Sequence, residues 1–161
     1  MNFDKAELGR EGFTGWLSFA DARESSLCPT SGGVYVVSYE GQPPATFPDK
    51  SPAGRFKGKD PTVDLASLTS NWVEGAGVVY IGKADQLRRR VRQFVDFGAG
   101  KPIGHWGGRL IWQLPRPDLL KIAWQETPGR VPVEVEAELI GLFREQYGKP
   151  PFANNPHMLG R

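Results

Sequence analysis

The chain has 161 residues, 39% of them hydrophobic and 24% charged, which is ordinary for a globular protein and enough for one domain with a real core. No apolar run approaches the length that crosses a bilayer, and no basic segment leads into an apolar run near Met1, so a cytoplasmic location is expected. Cys28 is the single cysteine, which excludes an intrachain disulfide and a thiolate zinc cluster, and a net charge of +2 is too small to identify a nucleic-acid binder by itself.

Residues 1–31 form an N-terminal extension in which Phe13, Trp16, Leu17 and Phe19 predict a short amphipathic stretch ending before Cys28-Pro29. The run Gly33-Val34-Tyr35-Val36-Val37-Ser38-Tyr39 is β-branched and aromatic behind two glycines and reads as a buried strand. Residues 40–61 are rich in Pro, Gly and Lys and read as a loop, with a brief helix expected at Asp64 to Val73. Structureless stretches of this length are uncommon in compact domains and are often functional or mobile. A second strand is predicted at Gly77 to Gly82. The spacing then turns helical, with Ala84, Leu87, Val91, Phe94 and Val95 on one face. After a Gly-rich segment containing His105, two apolar runs read as strands, Leu110 to Leu114 and Leu120 to Trp124. Pro132 opens a helix reaching Tyr147, and Gly148 stops it.

The charges are unevenly distributed. Leu87-Arg88-Arg89-Arg90-Val91-Arg92 concentrates arginine, and the acids Glu134, Glu136, Glu138 and Glu145 gather on the last helix. This asymmetry suits a basic surface beside an acidic centre, and equally two solvated helix faces. With side chains about 100° apart, Arg89 and Arg92 point outward, while Arg90 lies beside the apolar stripe on the same edge as Lys83. Such cations can grip phosphate oxygens, or snorkel over the core without a ligand. On the last helix Val135, Leu139, Leu142, Phe143 and Tyr147 define an apolar arc, and Glu136 falls inside it. A carboxylate there needs compensation, by a buried salt bridge or by a metal ion.

These residues resemble a known pattern. Gly33-Val34-Tyr35 and Tyr80-Ile81-Gly82 are similar to the two tripeptides that name the GIY-YIG nucleases, and Tyr80-Ile81-Gly82-Lys83-Ala84 through Leu87 to Arg90 resembles the nuclease domain of bacterial excision-repair endonucleases. Glu136 with Leu139 and Ile140 is similar to that family's Glu-x-x-Leu-Ile helix, and Pro151-Phe152-Ala153-Asn154 to its terminal Pro-x-x-Asn, with Asn155 adjacent. His105 stands where homing and restriction members of the superfamily often place a histidine. The resemblance spans Gly33 to Asn154. It departs from the family in the 40–76 insertion between the tripeptides and in the segment His105-Trp106-Gly107-Gly108-Arg109.

The resemblance implies one α+β domain over residues 1–161: a small three-stranded antiparallel sheet flanked by helices, with a fourth strand expected at Arg109 to Leu114. It implies a metal-dependent endonuclease acting on DNA, a reading carried by all of its elements in order rather than by any one alone. Tyr35, Tyr80, Arg90, His105, Glu136 and Asn154 would form the active site, with Glu136 holding one Mg²⁺ or Mn²⁺. Lys83, Arg88 and Arg109 would contact double-stranded DNA, and Lys50, Arg55, Lys57 and Lys59 are either further phosphate contacts or a soluble loop. Read alone, Tyr35 and Tyr80 are equally core residues, and the tryptophans read as core rather than as base-stacking platforms, with Trp106 the exception. The competing expectation is a catalytically weak or inactive nucleic-acid-binding module acting with a partner. The oligomeric state is open.

Overall fold

The structure is a computed structural model, and it describes residues 1–55, 57–102 and 106–154. Its elements in chain order are helix α1 (Lys5–Arg10), strand β1 (Thr14–Ser18), α2 (Phe19–Glu24), β2 (Gly33–Tyr39), α3 (Leu65–Asn71), β3 (Val78–Ala84), α4 (Leu87–Gly98), β4 (Leu120–Glu126) and α5 (Pro132–Tyr147). All strand pairs are antiparallel, in the order β1-β4-β2-β3. The chain is thus α+β, with four strands among the described residues. Among the described residues no helix is long and apolar enough to cross a membrane.

Alternation along β2 divides the core into two layers. Val34 and Val36 face α1 and α5, packing with Leu8, Val135, Leu139 and Phe143. Tyr35, Val37 and Tyr39 face α2 and α4, packing with Phe19, Leu87, Val91, Phe94 and Phe97. Phe94 is the hub of this second layer, with ring centroids 5.4 Å from Phe19, 5.5 Å from Tyr80, 6.2 Å from Tyr35 and 5.6 Å from Trp112. Such a Phe truncated to Ala typically costs about 3–5 kcal/mol.

Two expectations are corrected. The fourth strand is Thr14–Ser18 rather than Arg109–Leu114. The N-terminal stretch is not one amphipathic segment but α1, β1 and α2 in succession, punctuated by positive φ at Gly12, Gly15 and Trp16 and by a bulge between Gly15 and Leu17. The run Trp106–Gln113 is instead a pair of 3-10 turns kinked at Gly108. Leu110, Ile111, Trp112 and Leu114 are all buried there, without the alternation of a sheet surface. Gln113 explains why the segment stays inside: its amide accepts from Val63 N and donates to the carbonyls of Val63 and Pro48.

That bonding also anchors the 40–76 insertion. Phe47 stacks on Phe152 at 5.8 Å, Trp72 meets Phe152 edge-on at 5.4 Å, and α3 is capped by Asp64, which accepts from Ser67 N. The insertion is therefore packed against the body of the fold through buried residues. On α5, Leu142 lies outside the buried arc and is 40% exposed, whereas Val135, Leu139 and Phe143 are buried. Gly148 closes the helix at φ +80°, the left-handed geometry glycine adopts without strain.

Candidate active site

The two tripeptides meet side by side because β2 and β3 pair with Tyr35 opposite Gly82 and Val37 opposite Tyr80. Both glycines are sterically required. A Cβ at Gly82 would lie 2.4 Å from Tyr35 Cζ, and a Cβ at Gly33 would lie 2.7 Å from Leu87 Cδ1 and run into the carbonyl of Gln125 on β4. The first lets the Tyr35 ring lie across β3; the second lets α4 and β4 close on β2. The rings of Tyr35 and Tyr80 are 6.0 Å apart and tilted at 52°.

The Arg90 guanidinium and the Tyr80 phenol both act on the Tyr35 phenol, Arg90 lowering its pKa and Tyr80 raising it. Tyr35 is fully enclosed, whereas Tyr80 keeps 8% exposure. Burial is the first cause that raises both phenols: Tyr35 stands well above the usual value, and Tyr80 is pushed up to about 12, with Glu136 adding to the rise and Arg90 opposing it. Both are therefore neutral phenols at neutral pH.

β3 is an edge strand, so groups from opposite faces of the sheet can act on one another around its open side. Glu136 on α5 is half-buried. Desolvation raises its pKa, and the charges of Lys83 and Arg90 lower it. Among the described residues no cation lies within ion-pair distance of this carboxylate. A direct salt bridge, one of the two readings open from sequence, is thus absent among those residues. Lys83 is exposed, and with Arg89 and Arg90 it lines a cleft of about 310 Å³.

The structure therefore brings Tyr35, Tyr80, Lys83, Arg90 and Glu136 together. It places Asn154, Arg88 and Arg109 differently. Asn154 spends both ends of its amide on β3, its Oδ1 accepting from Ile81 N and its Nδ2 donating to Ile81 O, each at 2.8 Å. It closes part of the strand edge, like a one-residue partner strand. Arg88 donates from Nε to Cys28 O and from a terminal nitrogen to Ser26 O, both at 2.8 Å, so its guanidinium ties the 26–28 segment to α4. Arg109 is 6% exposed, and burial lowers its pKa, so it is a core guanidinium. His105 and Asn155 lie outside the described residues. Sequence reasoning missed Gln93, whose Oε1 faces an Arg90 nitrogen at 3.5 Å. Its signal was the i,i+3 spacing from Arg90 on one helix.

Among the described residues no group of three or more His, Cys, Asp or Glu could hold a metal ion. Glu136 alone would offer a metal ion one hard oxygen ligand here. Comparison with models of known protein families, with curated proteins and with solved structures finds no match to this chain, so any assignment of a reaction rests on these residues and their geometry.

Proposed function

We propose that this chain is a metal-dependent DNA endonuclease that hydrolyses phosphodiester bonds, with a site of the GIY-YIG type. The observation that carries this reading is Glu136: a half-buried carboxylate with no ion-pair partner among the described residues, held in the field of Lys83 and Arg90 and beside Tyr80. Leaving a carboxylate in this state is costly for folding alone. The cost is understandable if the site awaits a cation and an anion together.

Each side chain then has a task. Glu136 would hold one Mg²⁺ or Mn²⁺, which when bound supplies Lewis-acid polarisation of the phosphate and charge stabilisation for the leaving oxygen. Arg90 neutralises charge that develops on the phosphate oxygens in the transition state, from its place beside the Tyr35 phenol. Lys83 adds a second, solvent-facing cation. Tyr80, held neutral, orients the attacking water by hydrogen bonding rather than by taking its proton as a phenolate. Tyr35 touches no substrate in this enclosed position and acts by positioning Arg90 and Tyr80. Asn154 positions the strand that carries Tyr80. A cytoplasmic setting belongs to the same proposal.

Supercoiled plasmid incubated with the purified chain tests this. The proposal expects nicked or linear product with Mg²⁺ or Mn²⁺, none with EDTA, and none from Glu136→Ala or Arg90→Ala. If wild type binds DNA and never cuts it with either ion, the proposal fails and a binding module takes its place.

A further inference from the structure

The cleft beside Lys83 and Arg90 does not end there. It adjoins a second, larger cleft of about 530 Å³, and the two share Gln86, Arg89 and Gln93. The shared residues lie on or at the start of α4, so the hollow runs along the outer face of that helix. The second cleft adds Arg92 and Thr30. Its acid, Asp96, is already engaged by Arg23 at 2.7 Å and by Lys101 at 3.6 Å. Arg89 is exposed, and neither it nor Arg92 has a carboxylate at ion-pair distance among the described residues. Nε of Arg92 is buried without a hydrogen-bond partner among the described residues. A buried donor in this condition is uncommon in a native fold and calls for an explanation.

We infer that this double cleft is a track for the DNA strand flanking the scissile phosphate, with Arg89 and Arg92 on consecutive backbone phosphates and Gln86 and Gln93 as neutral donors between them. The inference rests on the proposed nuclease reading and deepens it. It replaces Arg88 and Arg109, whose guanidinium groups are occupied or buried, with Arg89 and Arg92 as the backbone contacts. Arg89 and Arg92 are one turn apart, which places their Cβ atoms about 5–6 Å from each other on the same helix surface. Guanidinium groups suit phosphate oxygens through paired donors. Contacts of this kind position the strand and carry no sequence information. The track therefore predicts affinity for DNA of any sequence, steeply weakened by salt.

The test measures binding of the full chain to a fluorescein-labelled duplex of random sequence in EDTA, so that no cleavage occurs, across a series of KCl concentrations. Arg89→Gln and Arg92→Gln are each expected to weaken binding several-fold and to flatten the dependence of log K on log [KCl] by about 0.9. Arg116→Gln, whose guanidinium is paired with Asp118, is expected to change neither. Arg89→Gln carries the test alone if Arg92→Gln fails to fold, because Arg89 is exposed. An unchanged slope in Arg89→Gln, or an equal loss in Arg116→Gln, would overturn the track. If the arginine variants behave as expected and wild type still does not cut with a divalent ion, the track stands and the nuclease proposal falls.

Discussion

Gly82→Ala is the sharpest structural perturbation available at this site. The new Cβ would stand 2.4 Å from Tyr35 Cζ, 2.6 Å from its hydroxyl oxygen and 2.8 Å from Cε1. Tyr35 is fully buried against Phe94 and Tyr80, so its ring cannot swing into solvent. Overpacking of this kind costs about 1–3 kcal/mol. The expected destabilisation is of that size, about 1–3 kcal/mol, read from urea unfolding monitored by tryptophan fluorescence. Gly141→Ala is the matched control. It lies in α5 with nothing among the described residues within 4 Å of its new Cβ and should stabilise by about 0.5–1 kcal/mol through helix propensity. The cause is checked by a double-mutant cycle. In a Tyr35→Ala background Gly82→Ala should cost much less than in wild type, because the obstructing ring is gone. Strict additivity of the two substitutions, or a neutral Gly82→Ala, would refute the reasoning.

Other consequences are as direct. Asn154→Ala removes both bonds to Ile81 and should destabilise by about 1–3 kcal/mol, with faster hydrogen exchange at the Ile81 amide; unchanged exchange would count against the strand-edge role. Glu136→Gln should raise the melting temperature at neutral pH. The folded-state pKa of Glu136 is raised by desolvation, so the protonated form is the favoured one and stability is lost as pH rises through that folded value. The advantage of Glu136→Gln should therefore shrink as pH falls toward the unfolded-state value near 4.3, and a gap that widens in acid would contradict the sign. Leu142→Ala, at a 40% exposed position, should shift stability by no more than about 0.5 kcal/mol, against about 3–5 kcal/mol for the buried Phe143→Ala.

The elements most readable in the sequence are those whose burial is uniform over their length. β2 and β3 are nearly continuous apolar runs, and α5 begins at Pro132 and ends before Gly148 as its proline and glycine require. β1 was not readable, because positive φ at Gly15 and Trp16 and the adjoining bulge remove the two-residue alternation that marks a strand. The run at Leu110–Leu114 misleads for the opposite reason: its side chains are apolar enough for a strand, yet Gln113 and Trp112 are buried by tertiary contacts that propensity does not encode. Trp112 packs onto Gly98, where a Cβ would lie 2.3 Å from the indole. At the site, Glu136 was visible as an acid within an apolar arc. The arginine run showed positive charge but not its division of labour, since only the fold reveals that Arg88 turns to the carbonyls of Ser26 and Cys28 while Arg89 stays at the cleft.

The central claim, that Glu136 serves chemistry on DNA rather than folding, is tested most directly by single-turnover cleavage of a labelled duplex by wild type and Glu136→Gln in Mg²⁺, with duplex binding measured for both in EDTA. The account predicts that Glu136→Gln binds the duplex at least as tightly as wild type, folds at least as stably, and cuts more slowly by about two orders of magnitude or more, the scale on which a single transition-state contact acts. Cleavage by Glu136→Gln at the wild-type rate would contradict it.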